Sequence, residues 1–148
     1  MKYQIDQSIK IENTAKTTYV CLANGKTVIA SISATEKRLL KLYFRDLDKP
    51  VIFKLFTFSV LCAKILIEAK PGNVTIDREY AGHERQIKSF ILQIFRIEGF
   101  SEPVISFGEI GKKSSAHLEG YRALQKDRRG IVITAKAVWQ YYEKIDKK

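Results

Sequence analysis

Hydrophobic and polar positions alternate at the start of the chain. In YQIDQSIKI, residues 3–11, every second position falls on one mostly apolar face, and a period of two residues predicts a strand. Two further β-rich runs, residues 17–23 and 27–33, flank Asn24-Gly25, a dipeptide that supplies the positive φ angles of a tight hairpin turn. The opening of the chain therefore predicts an antiparallel meander of three strands.

Helical spacing replaces this alternation after Ser33. Ser33 is predicted to be an N-cap with Glu36 as its capping-box partner, and the helix that follows breaks at residues 46–50. The apolar run from Val51 to Ala69 predicts a second, deeply buried helix. Because that run is rich in β-branched and aromatic residues, a strand over part of it is the alternative.

The second half of the chain alternates short strands with helices. A meander followed by such a pattern forms a mixed sheet covered by helices, so we expect one α/β domain over residues 1–148. Right-handed crossovers would set the later strands parallel to the first. The predicted strands are residues 74–77 and 104–107, and the predicted helices are residues 83–97, a helix capped by Ser114 or Ser115, and residues 134–144.

Charge and composition narrow the class of partner. Lys and Arg number 26 against 16 Asp and Glu, which gives a net charge of +10. A positive field of this size favours a polyanion, and nucleic acid is the expected partner, with a membrane surface or solubility alone as the alternatives. Hydrophobic residues make up 45% of the chain, enough for a core and against disorder.

The same composition suggests a cytoplasmic protein that is not inserted in a membrane. Lys54 and Lys64 interrupt the longest apolar run, and MKYQIDQSIK lacks the apolar segment of a signal peptide. Cys21 and Cys62 each lie inside an apolar run without metal-ligand spacing, so both are expected to be buried, unreactive thiols in a reducing compartment.

Two carboxylates are embedded in predicted strands, Asp6 in YQIDQS and Asp77 in VTIDRE. Together with the order of elements, they make nearly the whole chain resemble the ribonuclease H-like superfamily. There the first strand carries an Asp, and its parallel neighbour, the fourth strand, ends with a second acid. A final acid or histidine often comes from the last helix, where His117 of SSAHLEG matches. The resemblance implies metal-dependent cleavage or transfer at phosphodiesters.

The chemistry of that reaction independently favours such carboxylates. Phosphodiester hydrolysis needs an activated water and counter-charge on the attacking and leaving oxygens, which Mg²⁺ or Mn²⁺ held by clustered acids supply. Neighbouring strands lie about 4.8 Å apart, so one ion would reach both Asp6 and Asp77. Glu79 is a candidate third ligand, about 7 Å farther along an extended chain. The alternative to a metal site is that Asp6 is a solvent-facing strand residue and that Asp77 caps a helix or turn just past the end of its strand.

The remaining candidates for the metal site are weaker. His117 is predicted either to assist proton transfer and order the leaving phosphate, or to be a partly buried histidine held by hydrogen bonds. Glu12 lies about 20 Å along an extended strand from Asp6, too far to share an ion without a bend. With Glu36 assigned to capping, the first helix offers no inward acid, which departs from the ribonuclease H pattern.

A basic segment before the predicted fourth helix is a candidate phosphate-binding site. Exposed amides, the helix dipole, Lys112, Lys113, Ser114 and Ser115 converge there, although an ordinary basic helix entrance has the same composition. Two residues elsewhere extend this candidate surface: Arg122 adds positive charge, and Tyr80 either stacks on a base or packs as a core tyrosine.

The preferred function is a Mg²⁺- or Mn²⁺-dependent nuclease that degrades single-stranded DNA from 3′ to 5′. Its nearest rival is an endonuclease similar to Holliday-junction resolvases, which would need a homodimer to cut two strands. The sequence is also compatible with a catalytically inactive nucleic-acid-binding module and with a structural or assembly protein. DNA is preferred to RNA as the substrate. This preference does not come from recognition of the 2′-hydroxyl, since the sequence identifies no contacts that would read it.

Overall fold

A six-stranded mixed sheet flanked by helices forms the fold. The computed structural model describes residues 3–24, 26–110, 115–126 and 130–146. The strands are β1 (Tyr3–Gln7), β2 (Thr18–Ala23), β3 (Val28–Ile32), β4 (Asn73–Asp77), β5 (Val104–Gly108) and β6 (Ile131–Val132). The helices are α1 (Ala34–Asp46), α2 (Pro50–Ala69), α3 (Glu84–Glu98), α4 (Ser115–Lys126) and α5 (Ala135–Asp146).

The strands lie in the order β5-β4-β1-β2-β3-β6. The first three form the predicted antiparallel meander, and β4 joins the other side of β1 in parallel, as the crossover rule predicted. β5 extends the sheet in parallel beyond β4. The α/β class, the meander and the parallel placement of the fourth strand are therefore confirmed.

The main core lies on the side of the sheet that α2 covers. α2 is a helix along its whole length, so the predicted buried helix is confirmed and the alternative of a partial strand is wrong. Pro50 starts the helix where a missing N–H costs nothing, and Lys70 ends it in the left-handed conformation. By length and composition alone α2 would suffice to cross a membrane, but 67% of its apolar window is buried inside the protein.

β1 ends at Gln7 rather than continuing to residue 11 as the alternation predicted. A turn closed by a hydrogen bond from Asn13 N to Lys10 O redirects the chain. Ile11 is still fully buried, but its N–H donates to the hydroxyl of Tyr80 instead of to a neighbouring strand. A side chain that satisfies the backbone here allows the strand to stop while its apolar pattern continues.

The strand β6 and the role of the Glu36 side chain differ from the sequence prediction. β6 was not predicted, because two residues are too short for a periodic signal; it pairs in parallel with β3. Ser33 does accept a hydrogen bond from Glu36 N, at 3.2 Å, as predicted for an N-cap. The Glu36 side chain, however, accepts from Ala135 N at 3.0 Å, so it caps α5 and not its own helix.

Candidate metal centre

Asp6 and Asp77 project from neighbouring strands towards the same side of the sheet. Ile5 and Ile76 are register partners whose side chains belong to the main core, so the residue that follows each one points to the opposite face. That second face is the one on which α4 packs, against β1 and β2. Asp6 is paired with Cys21, which lies in a small cluster with Ala123 of α4.

Glu79 reaches the same place because the chain turns immediately after β4. The N–H of Glu79 donates to the carbonyl of Asp77 at 2.9 Å, which makes a three-residue turn at Arg78. Arg78 N itself donates to the carbonyl of Gly108 and fixes this turn to β5. The prediction that the chain stays extended, with Glu79 about 7 Å beyond Asp77, is therefore wrong. The carboxylate of Glu79 instead folds back towards Asp77.

The acidic cluster consists of Asp6, Asp77 and Glu79. One carboxylate oxygen from each lies within 4.8 Å of the other two. Asp6 is only 4% exposed, whereas Asp77 and Glu79 are half-buried. Three hard oxygen donors at this separation suit a hard divalent cation, which prefers carboxylate ligands.

Each carboxylate raises the cost of ionising the others. Burial raises the pKa of Glu79 to about 8, assisted by a hydrogen bond and the charge of Asp77 and by the charge of Asp6. Burial also raises the pKa of Asp6, and the charge of Asp77 adds to this, while hydrogen bonds from His117 and Gln7 N oppose the rise. A proton or a cation is therefore needed to balance the cluster at neutral pH.

His117 joins the cluster from α4. Its Nδ1 lies 3.1 Å from Oδ2 of Asp6, and its side chain is 37% exposed. The sequence placed His117 near Asp6 only through the resemblance, and the structure brings the two together. A histidine held by a metal-ligand candidate orients that carboxylate, and its partly exposed ring can also face a substrate.

Two main-chain amides orient the cluster and were not identified from the sequence. The N–H of Ile110 donates to Oδ1 of Asp77 at 2.8 Å, and the N–H of Gln7 donates to Oδ1 of Asp6 at 2.8 Å. Every residue other than proline carries such a group, so no residue type marks it. The one signal that the sequence offered for the Ile110 amide was the pair of glycines in FGEIG, which allow the chain after β5 to pass close to its neighbours.

Tyr80 does not have the stacking role considered for it. It is 6% exposed, and its ring packs edge-on against Phe58 at 5.3 Å between centroids. Its hydroxyl accepts from Ile11 N and donates to Glu12 at 3.2 Å. A base cannot stack on a ring enclosed in this way, so Tyr80 is a packed core tyrosine, the second of its two predicted roles. Glu12 is held by Tyr80 and lies outside the acidic cluster.

The candidate phosphate-binding segment is described only in part. Lys112, Lys113 and Ser114 lie outside the described residues, and Ser115 begins α4 without a described side chain. Arg122 is exposed on α4, the helix that carries His117. Cys21 and Cys62 are buried, as predicted, and neither forms a disulfide.

Comparisons with known protein families, with curated proteins and with solved structures find no significant match to this chain. The acidic cluster and its position on the sheet are therefore the basis for assigning a function.

Proposed function

We propose that the protein is a divalent-metal-dependent nuclease with a ribonuclease H-like fold. The observation that carries the proposal is the acidic cluster: three carboxylates from two parallel neighbouring strands and the turn after them, with oxygens within 4.8 Å. Backbone amides bind one oxygen each of Asp6 and Asp77, but the three carboxylates carry like charges that repel one another. A cluster that opposes ionisation is a good candidate for a cation site.

The topology supports the same proposal. The meander lies on one side of β1 and β4 lies parallel on the other, which is the relation of first and fourth strands that the resemblance implies. The first acid lies on β1, the second at the end of β4, and the histidine on a later helix that packs on β1. β6 is an addition at the far edge, beyond β3, and leaves the acidic cluster unaffected.

Asp6, Asp77 and Glu79 would hold Mg²⁺ or Mn²⁺, and the ion would supply an activated water and charge neutralisation at the phosphate. The chain's own groups prepare this site. The Ile110 and Gln7 amides fix one oxygen of Asp77 and of Asp6, respectively, and His117 fixes the second oxygen of Asp6. In the proposed reaction the partly exposed imidazole of His117 would donate a proton to the leaving oxygen or order the phosphate.

We take single-stranded DNA as the preferred substrate and cleavage from the 3′ end as the preferred reaction. The net charge of +10 supports a nucleic-acid substrate, because positive charge attracts the phosphate backbone of any sequence. An endonuclease similar to junction resolvases is the rival activity within the same chemistry.

One observation favours a catalytically inactive binding module as the second candidate. Glu36, the acid of α1 nearest to its start, caps α5 instead of facing the cluster. Among the described residues, the cluster therefore has three carboxylates, and α1 does not contribute a fourth. A nuclease that uses two ions would need a further ligand, whereas a single ion is served by the residues present.

Cleavage of end-labelled single-stranded and duplex DNA and RNA tests the proposal, with Mg²⁺, Mn²⁺ or EDTA. We expect metal-dependent cleavage by the wild type, none by Asp6→Asn, and wild-type cleavage by Glu102→Gln, which removes a surface carboxylate paired with Arg96. A ladder from one end identifies an exonuclease, and one internal product identifies an endonuclease. Binding without cleavage under every metal would support the inactive module, and absence of both would reject a nucleic-acid function.

A further inference from the structure

A groove of about 610 Å³ lies between α1, the first turn of α2 and the loop after β1. It is on the main-core side of the sheet, whereas the acidic cluster faces α4. The groove therefore plays no part in the proposed nuclease site. We call it the α1–α2 groove, and its described lining includes Arg38, Lys41, Leu42, Arg45, Val51 and Phe53.

The floor of the α1–α2 groove is apolar and open to solvent. Leu42 is 46% exposed and Val51 is 53% exposed, while Phe53 is buried behind them. Leu39, one helical turn before Leu42 on α1, is another large exposed apolar side chain. Large apolar side chains gathered at a concave surface mark a binding site more often than single exposed ones do.

The rim of the groove is positively charged. Arg38, Lys41 and Arg45 occur at positions i, i+3 and i+7 of α1, on one face of the helix. The Arg38 guanidinium is fixed at the rim by hydrogen bonds to the carbonyl of Thr14 and the hydroxyl of Thr35.

One lysine and one acid of the groove offset each other. Glu12, the single acid among the described lining residues, accepts a hydrogen bond from Tyr80 and lies 4.0 Å from Lys54. Arg45 lies 3.8 Å from Asp46, and both side chains are mostly exposed. Arg38 and Lys41 therefore leave the rim with an excess of positive charge.

We propose that the α1–α2 groove binds an acidic peptide segment of a partner protein, with a bulky apolar side chain on the floor and carboxylates at the rim. The apolar floor disfavours a phosphodiester backbone, which needs polar partners along its length. A second copy of this chain would bring the same positive charge, and two molecules of net charge +10 repel each other. Charge and shape together select an acidic, amphipathic segment.

Fluorescence anisotropy with a labelled synthetic peptide that alternates Glu with Leu and Phe tests the proposal at low salt. Two comparison peptides carry Lys in place of Glu, or Ser in place of Leu and Phe. We expect the wild type to bind only the acidic apolar peptide, and the double variant Lys41→Glu/Arg45→Glu to bind it about tenfold more weakly or worse. Val51→Ser should weaken binding by removing part of the floor.

Two matched controls separate the groove from general charge and stickiness. Lys88→Glu reverses an exposed lysine on α3, and Val104→Ser removes a valine that is 68% exposed on β5; both should bind the peptide like the wild type. Thermal melts establish that every variant is folded. No binding of the acidic peptide, or equal losses in groove and control variants, overturns the proposal. It is also overturned if single-stranded DNA binding falls in the double variant but not in Lys88→Glu, because the groove would then bind nucleic acid.

Discussion

Asp77 connects the acidic cluster to the backbone around it. Its Oδ1 accepts from Ile110 N, and an amide oxygen at this position would accept the same hydrogen bond. Asp77→Asn removes one negative charge that raises the pKa of both Asp6 and Glu79. The change therefore alters the electrostatics of the cluster, and with them the proposed ion binding, while keeping the local geometry.

For Asp77→Asn we expect an unfolding temperature in EDTA equal to or above that of the wild type, because repulsion is relieved. Adding Mn²⁺ should raise the unfolding temperature of the wild type but not that of the variant, since an ion that binds only the folded state at about 100 times its Kd adds about 2.7 kcal/mol. Differential scanning calorimetry measures both effects, with Glu102→Gln as control. Equal Mn²⁺ shifts in wild type and variant would exclude Asp77 as a ligand.

Lys37 is a fully buried lysine whose ionisation is linked to stability. Its Nζ donates to Thr18 Oγ1 at 2.9 Å and to the carbonyl of Asn13, so it fixes the loop after β1 to α1. Burial lowers the pKa of Lys37 from 10.5 to about 8, and the charge of Glu12 partly offsets this. Between these two pH values the unfolded chain holds a proton that the folded protein has released.

Stability should consequently rise with pH across that window. We expect the free energy of unfolding of the wild type, measured relative to Lys37→Met, to increase as the pH goes from about 8 to 10.5, and the advantage to be lost as the pH falls back through about 8. Urea titrations at a series of pH values measure it. Lys41→Met, an exposed lysine on the same helix, should keep the wild-type pH profile. Parallel profiles for wild type and Lys37→Met would contradict the assignment.

At the scale of elements, the edge strand β6 depends on one glycine. Gly130 has φ +60°, and a Cβ at this position would lie 2.2 Å from the carbonyl oxygen of Ile29 on β3. Only a residue without a side chain lets the chain approach β3 this closely, so that β6 can form. β6 in turn leads into α5, whose first amide is capped by Glu36.

Gly130→Ala is expected to destabilise the protein by about 2 kcal/mol or more, because the added methyl group meets backbone that cannot move aside and the positive φ is strained. Gly72→Ala is the matched control, since nothing lies within 4 Å of its added Cβ and no positive φ opposes it. Chemical denaturation measures both variants, and hydrogen exchange of the Ile133 amide, which donates to Ser31 O beside β6, reports on the edge. Equal stability of the two variants would show that β6 tolerates a side chain here.

At the scale of the whole molecule, the excess of positive charge predicts how the affinity for a polyanion depends on salt. With a net charge of +10, we expect the protein to bind a single-stranded oligonucleotide more weakly as salt increases. The logarithm of the association constant should fall linearly with the logarithm of the salt concentration. If about six phosphates are contacted, the single-strand slope of about −0.7 per phosphate gives a loss of roughly 300-fold between 50 and 200 mM salt. Filter binding in EDTA measures the slope without cleavage. A salt-independent affinity, or none at low salt, would remove the electrostatic argument for a nucleic-acid partner.

The sequence predicted the elements best where one physical rule decided them. Alternation identified β1 and the hairpin strands, and the apolar run identified α2, because burial of a repeating apolar face is a local property of the chain. It failed for β6 and for the end of β1. The first depends on a glycine next to a distant strand, and the second on the Tyr80 hydroxyl, which meets Ile11 across 69 positions of the chain.

The acidic cluster shows the same division. The pattern of the chain by itself placed Asp6 and Asp77 on two strands, which the handedness of crossovers sets parallel. That the two strands are neighbours was implied only by the family resemblance, and the structure pairs β1 with β4. Only the tertiary structure decided that Glu79 folds back beside them, that Glu36 caps another helix, and that Tyr80 is enclosed in the core. Those outcomes depend on a turn, a cap and a packing contact between segments far apart in the chain. Sequence spacing does not record such contacts, because their energies arise only when the segments meet.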